Sequence, residues 1–289
     1  MLLSATLGTL AGMSQTKELP QSASIAPLTA RFEHLAFNVS DPQAIVRWYT
    51  RYLGMKVVRA DGPPAYLTFI ADSGMNVMLE FQHQAKNPVF EPSSIHHMAM
   101  HLAFITPNII QSQQALLRAE ATIAESLKVL TSGDRVVTLR DPWGFALQLV
   151  ERVIPMLHRQ GTYPEHLAIN MADSRARSMW YRDNFGFVAI CDATVGPFTI
   201  FSSDAGKHLM FELYHFPQYP IVDFQKLNPF SMHVAFATNN VAGARDGLTK
   251  GGASFIEFHN TAQGDSVLVL RDPWGMPIHI VKRVKPMLQ

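Results

Sequence analysis

The chain has 289 residues, 47% of them hydrophobic and 16% charged, which is enough apolar mass for two domains of ordinary size and too much for a disordered chain. Its 24 basic and 23 acidic side chains leave a net charge of +1 with no clustered Lys/Arg run, which argues against nucleic acid or an anionic membrane surface as a partner. The single cysteine, Cys191, excludes an intramolecular disulfide and a thiolate metal site, and its strand-like surroundings predict a small buried residue.

The N-terminus opens on an apolar, small-residue run from Met1 to Met13, about the length of a signal-peptide core but with no basic residue before it. It is too short to span a bilayer. Ser14 to Ala30 is rich in Ser, Gln and Pro and reads as a linker. Residues 1–30 are thus a signal-like leader and linker, with two readings open. One is the tail of an export signal, placing the protein in the periplasm or outside the cell. The other is a flexible leader on a cytoplasmic protein. Export is the preferred expectation.

From Arg31 onward an internal repeat governs the chain. Glu33-His34-Leu35-Ala36-Phe37-Asn38 returns as Glu165-His166-Leu167-Ala168-Ile169-Asn170. Trp48-Tyr49 returns as Trp180-Tyr181, and Gly54 as Gly186. Arg140-Asp141-Pro142-Trp143-Gly144 returns unchanged at Arg271-Asp272-Pro273-Trp274-Gly275, and an Arg-Val-x-Pro-Met-Leu ending recurs at Arg152 and Arg283. Two domains follow, 31–158 and 159–289, each with a weaker half-repeat, so that the chain reads as four βαβββ modules.

Phe32 to Val39 alternates at period two, with Leu35, Phe37 and Val39 on one face and His34, Ala36 and Asn38 on the other. Asp41 and Pro42 open a helix through Trp48 and Tyr49 that stops at Gly54. Strands are predicted near Lys56–Arg59, Ala65–Ala71 and Asn76–Gln82, and the next helix near Asn108–Ala121. Trp48, Trp180, Trp143 and Trp274 are expected in core and turn packing, and Asp141 and Asp272 as turn holders.

One set of donors repeats in register. His34, Glu80, His101 and Gln148 return as His166, Glu212, His233 and His279, the first three after 132 residues and the last after 131. Around each donor the same alternation holds: the greasier strand face would pack under helices and the donor would point the other way. A buried Glu80 or Glu212 without a partner would be costly or protonated, and a divalent cation removes that cost. Imidazole with carboxylate oxygen suits zinc, iron, nickel, cobalt or manganese rather than calcium. Four protein ligands on an octahedral ion would leave two open positions for neighbouring oxygens of one substrate. His83 and His215 also match between repeats and suit a pocket rim, whereas His96 and His97 have no match and read as loop residues.

These modules, with His on the first strand, Glu on the fourth and an Asp-Pro-x-Gly turn before the last, resemble the vicinal oxygen chelate superfamily, which includes glyoxalase I, extradiol dioxygenases and bleomycin-binding proteins. The resemblance spans Phe32 to Leu288 and implies an α+β fold: four βαβββ modules in two tandem glyoxalase-like domains with concave mixed sheets. It implies a divalent metal held by His166, Glu212, His233 and His279, with His34, Glu80, His101 and Gln148 as the equivalent second choice. Gln148 and His279 stand where the family usually has Glu. The family pairs its modules in more than one way, but any odd–even pairing gives two His, one Glu and one variable donor.

The activity this implies is metal-dependent lyase or isomerase chemistry of the glyoxalase type on a small molecule that chelates the ion through neighbouring oxygens. Glu212 or Glu80 would serve as ligand and base together. The alternatives are an Fe(II) extradiol-type dioxygenase and a non-catalytic resistance-type binding protein. In the dioxygenase reading Val269 stands where a tyrosine is usual, and His259 lies near the auxiliary histidine. The expected partner is a small-molecule substrate, with no nucleic acid and no membrane span, on a monomer or homodimer.

Overall fold

The structure, a computed structural model, describes residues 27–193 and 199–288. The signal-like part of the leader lies outside those residues. Module one comprises β1 (Arg31–Asn38), α1 (Pro42–Tyr52), β2 (Lys56–Ala60), β3 (Thr68–Ala71) and β4 (Met78–Gln82). Module two comprises β5 (Met100–Ile105), α2 (Ile109–Arg118), β6 (Thr122–Val129), β7 (Arg135–Arg140) and β8 (Ala146–Glu151). Module three comprises β9 (Tyr163–Asn170), α3 (Ser174–Phe185), β10 (Val188–Ala193), β11 (Thr199–Ser203) and β12 (Met210–Tyr214). Module four comprises β13 (Met232–Ala237), α4 (Val241–Lys250), β14 (Ser254–Asn260), β15 (Ser266–Arg271) and β16 (Pro277–Lys282). Among the described residues no helix is long and apolar enough to cross a membrane.

The helix starts follow from local chemistry. Asp41, Asn108, Asp173 and Asn240 each cap a helix by accepting a hydrogen bond from the backbone N–H three residues on. Gly186 ends α3 in the left-handed conformation at φ 66°, which a residue without Cβ adopts at no steric cost. The strand expected from Ala65 begins only at Thr68, because Tyr66 turns at φ 47° and its N–H closes a bond to Gly62 O.

The strands form two eight-stranded mixed sheets. Sheet A runs β14-β15-β16-β13-β1-β4-β3-β2, and sheet B runs β10-β11-β12-β9-β5-β8-β7-β6. Each sheet therefore joins one module from each sequence half: one with four, and two with three. The chain leaves sheet A after β4, builds all of sheet B, and returns to sheet A at β13. At each sheet's centre the two modules meet antiparallel, β1 on β13 and β5 on β9.

Between the sheets lies one large core. Leu35 and Phe37 of β1, Leu79 and Phe81 of β4, Leu102 and Phe104 of β5, and Ile278 and Ile280 of β16 all join it, as alternation requires. The helices hold each sequence half together across this core. In the first half Trp48 Nε1 of α1 donates to Ala119 O, and Tyr49 Oη donates to Asp141. Trp180 and Tyr181 do the same with Gly251 O and Asp272. The sequence halves thus unite through helices and turns, while the sheets unite through strands of opposite halves. The donor-bearing strand faces point away from this core.

Candidate metal centres

The strand register places the donors. On β1, His34 lies opposite Ala235 of β13, and Ala36 lies opposite His233. On its other side Ala36 pairs in parallel with Glu80 of β4. His279 of β16 pairs with Ala235. Four donors therefore surround two alanines on one face of sheet A. Sheet B repeats the plan: His166 opposite Ala103, His101 opposite Ala168, Glu212 beside Ala168 and Gln148 beside Ala103.

This pairing corrects the expected ligand sets. His166 and Glu212 belong with His101 and Gln148, and His34 and Glu80 belong with His233 and His279. The expected set of His166, Glu212, His233 and His279 is split between sheets, because the modules pair one with four and two with three. All eight predicted residues lie on the donor faces in two equivalent constellations.

In sheet A, ligand atoms of His34, Glu80 and His233 all lie within 4.8 Å of one another, and in sheet B those of His101, His166 and Glu212 do the same. Donors about 2.1 Å from a divalent ion spread to roughly 4.2 Å across it. Neighbouring donors on such an ion stand roughly 3.0–3.4 Å apart, so the sets are close enough to converge on one ion with modest side-chain adjustment. Glu80 Oε2 stands 3.1 Å from His34 Nε2, and Glu212 Oε2 stands 3.1 Å from His166 Nε2 and 4.0 Å from His101 Nε2. The buried Nε2 atoms of His34, His101, His166 and His279 have no aligned hydrogen-bond partner. Buried lone pairs left without donors are what a cation would satisfy.

The opposite ring nitrogens fix the tautomers. His34 Nδ1 lies 2.8 Å from Glu33 Oε2, His166 Nδ1 lies 2.9 Å from Glu165 Oε2, and His101 Nδ1 lies 2.9 Å from His97 O. His233 Nδ1 lies 3.2 Å from Pro229 O. A carbonyl or ionised carboxylate only accepts, so each Nδ1 carries the proton and Nε2 faces the cluster as a ligand. Glu33 is gripped by Arg283 at 3.0 and 2.7 Å, and Arg283 also binds Asp265 at 2.9 Å. Arg152 grips Glu165 and Asp134 identically in sheet B, at 3.1, 2.7 and 2.9 Å. These orienting groups were not singled out from sequence, though both halves carried the signal: Glu-His at the first strand and Arg-Val-x-Pro-Met-Leu at the end.

Charge is arranged unevenly within each cluster. Burial works against protonating His34, but Glu33 and Glu80 outweigh it and raise its pKa. His166 is likewise raised, with Glu212 the largest opponent of burial. Burial dominates at His101, which falls to about 4 despite Glu212, with His166 repelling its charge. Burial also holds His233 and His279 well below the ordinary imidazole value. Burial pushes the Glu212 carboxyl up, but the attraction of His166 wins and leaves it below the ordinary value.

His279 stands apart from the converging three. Its ring lies face to face on His233 with centroids 3.4 Å apart. Gln148 holds the same register position in sheet B, half-buried beside Thr138 and Ala103. Above the sheet-A cluster opens a cavity of about 620 Å³ whose walls include Phe69, Gln82, Lys86, Glu257 and His259. His83 and His215 do not line it. Their Nδ1 atoms tie loops to Val39 O and Met171 O, at 2.9 and 2.8 Å. Cys191 is exposed rather than buried, since β10 is the edge of sheet B and a bulge between Ala189 and Cys191 shifts its alternation.

The alanines are as informative as the donors. Ala36 and Ala235 are 1% and 0% exposed and separate the donors of sheet A. Ala36→Leu should fill the space an ion would take, cost about 1–3 kcal/mol in overpacking, and abolish metal binding in sheet A while sparing sheet B. Metal analysis per folded chain checks this; undiminished loading of both sites would refute it.

No curated protein matches the chain. Among solved structures it is similar to glyoxalase I from Zea mays, with a TM-score of 0.70 and 16% identity over 88% of this chain and 92% of that one. It is also similar to a protein from Bacillus subtilis subsp. subtilis str. 168 named "putative dioxygenase", with a TM-score of 0.63 and 14% identity over 91% of this chain and 88% of that one. At these identities the likeness speaks for the fold. The family model for the Glyoxalase/Bleomycin resistance protein/Dioxygenase superfamily matches residues 31–149 and again 164–280. With the repeat, the paired βαβββ modules and the double match in place, the chain belongs to the glyoxalase/bleomycin resistance protein/dioxygenase superfamily.

Proposed function

We propose that the protein is a divalent-metal-dependent lyase or isomerase of the glyoxalase type, working on a small substrate that presents two neighbouring oxygens. The observation that carries this reading is the convergence of His34, Glu80 and His233 beneath the 620 Å³ cavity, with the buried His34 Nε2 turned toward Glu80 and lacking an aligned hydrogen-bond partner. Two imidazoles and one carboxylate fit zinc, iron, nickel, cobalt or manganese. His34, Glu80 and His233 would hold the ion in sheet A, and His101, His166 and Glu212 in sheet B. The bound ion would supply Lewis acidity toward a carbonyl oxygen.

The chain's own residues define the rest. Glu80 is the acidic member of the cluster and faces the cavity, where it can accept a proton from carbon next to the carbonyl and return it to the adjacent carbon. Phe69 walls the cavity and its ring edge packs against His34, limiting water at the proton-transfer position. Glu212 holds the corresponding place in sheet B.

Metal analysis with paired variants tests the proposal. Wild-type protein should carry two ions per chain, and Glu80→Gln and Glu212→Gln should each carry one. C–H to C–D exchange in D₂O, followed by NMR on hydroxyacetone, glyceraldehyde and methylglyoxal hemithioacetals, reads the chemistry. Glu80→Gln combined with Glu212→Gln should slow exchange by about 10²–10⁴-fold. Metal content indifferent to both substitutions, or no exchange with any of these compounds, would refute the reading. A second reading is favoured by the same donor set, since two His and one carboxylate also suit ferrous iron and oxygen chemistry. It predicts O₂ consumption with catechols only when iron is loaded.

A further inference from the structure

The two donor clusters match, but their surroundings do not. Beside the sheet-B cluster runs a ladder of five rings. Tyr214 and Phe216 are 5.1 Å apart between ring centroids, and Phe216 and Tyr219 are 6.3 Å apart. Tyr219 stacks on His96 at 5.3 Å, and His96 on His97 at 4.4 Å, with interplanar angles of 27° and 25°. Both ends of the ladder are tied to the cluster through the backbone. Tyr214 lies two residues beyond Glu212 on β12, hence on the same strand face. His97 supplies the carbonyl that holds His101 Nδ1 at 2.9 Å. Tyr214 is buried and its hydroxyl donates to Met98 O, whereas Phe216, Tyr219, His96 and His97 are half-buried.

The five matching positions around sheet A carry no aromatic ring, and the phenyl rings that line its cavity, Phe69 and Phe230, lie outside this loop frame. The repeat places Gln82 where sheet B has Tyr214, Gln84 for Phe216 and Asn87 for Tyr219. Asn228 and Pro229 stand for His96 and His97. Gln82, Gln84 and Asn87 line the sheet-A cavity together with the cations Arg59 and Lys86. Their repeat counterparts are Cys191 and Gln218, which are not cationic.

Loop architecture does not require the rings. Asn38 fastens the loop after β4 by donating to the carbonyls of Gln84, Asn87 and Pro88, and its own oxygen accepts from Gln84 N. Asn170 makes the same four bonds to the loop after β12, with Phe216, Tyr219 and Pro220 supplying the carbonyls and Phe216 the N–H. The same backbone frame therefore presents amides and cations in one site and rings in the other. A ring ladder beside a metal cluster gives a flat ligand successive π faces to lie against. Amides and cations instead favour oxygen-rich or anionic groups.

We propose that the two sites take different ligands: the sheet-B site a metal chelator bearing an aromatic ring, which packs along Phe216 and Tyr219, and the sheet-A site a hydrophilic, non-aromatic chelator. This rests on the reading that both clusters hold a divalent ion, and it adds the ligand class of each.

The experiment uses the full chain loaded with zinc, titrated with 4-nitrocatechol by absorbance and with oxalate by calorimetry. The decisive variant is Phe216→Gln with Tyr219→Asn, which gives sheet B the residues of sheet A. Nitrocatechol should bind one equivalent per chain, and the double substitution should weaken it at least about tenfold, as expected for lost ring packing. Metal content and the oxalate isotherm should not move. Unchanged nitrocatechol affinity with metal retained overturns this inference alone. So does an equal loss for oxalate, or nitrocatechol binding that survives Glu212→Gln. Failure of the wild-type chain to bind zinc overturns the metal reading and this inference with it.

Discussion

Arg283→Met should destabilise the metal-free protein by about 3–5 kcal/mol, the cost of leaving buried carboxylates without their cation. Arg283 is nearly buried and pairs at once with Glu33 and Asp265, whose side chains are 4% and 7% exposed. Methionine would fill most of the volume but return no charge. The larger consequence is at the metal. Glu33 is held ionised, its carboxyl lowered to about 2 because the bonds from His34 and Arg283 outweigh the opposing effect of burial. Freed from Arg283, it would no longer fix the His34 ring, and losing such an orienting partner typically costs 10–100-fold in metal affinity. The loss should fall on sheet A alone, since Arg152 serves sheet B separately. Denaturant melts of apo protein, with metal titration of each site, measure both effects. Equal weakening of the two sites, or none, would contradict the assignment.

The second large effect is a pH-dependent one built into the repeat. Asp141 and Asp272 sit in matching cages: each accepts two backbone N–H bonds at Oδ1 and a tyrosine hydroxyl at Oδ2. Among the described residues, of the two only Asp272 forms an ion pair, with Arg177 Nη2 at 2.5 Å. Ile45 stands at the position matching Arg177, and burial pushes the Asp141 carboxyl up to about 6 against the pull of its hydrogen bonds. An acid whose pKa is raised on folding adds nothing below its unfolded value near 4. It opposes folding increasingly as pH climbs from there to 6, and levels off above. A shift of this size is worth about 3 kcal/mol at pH 7. Asp141→Asn keeps the Oδ1 acceptor and should therefore stabilise the protein at pH 7 by up to that amount and not at pH 4. Arg177→Ile should do the opposite to the second cage, costing about 3–5 kcal/mol by leaving the buried Asp272 without its cation. Stability curves at the two pH values test the pair, and a gain from Asp141→Asn that is the same at both, or no cost from Arg177→Ile, would refute the account.

Much of the site was legible because strand alternation is local. The positions of His34, Glu80, His101 and Gln148, and of their repeats, follow from period two and from the greasy face each strand must bury. The His-x-Ala spacing that leaves room between donors was also in the repeat, at His34, His101, His166 and His233. The ring ladder is hidden in the sequence for the converse reason: Tyr214, Phe216, Tyr219, His96 and His97 are set apart only by how their counterparts in the other half differ. Cys191 was misplaced because edge position and a bulge are properties of the sheet, not of the strand's own sequence.

By itself the sequence determined the four modules, the donor face of each strand and the chemical type of each donor, since these depend on residues one or two positions apart. Tertiary structure alone decided which donors share a site. Strand partnership is non-local: the chain crosses to sheet B after β4 and back after β12, so β1 meets β13 and β5 meets β9. That crossing joins His34 and Glu80 to a histidine 199 positions from His34 in sequence, His233, rather than to the nearer His101.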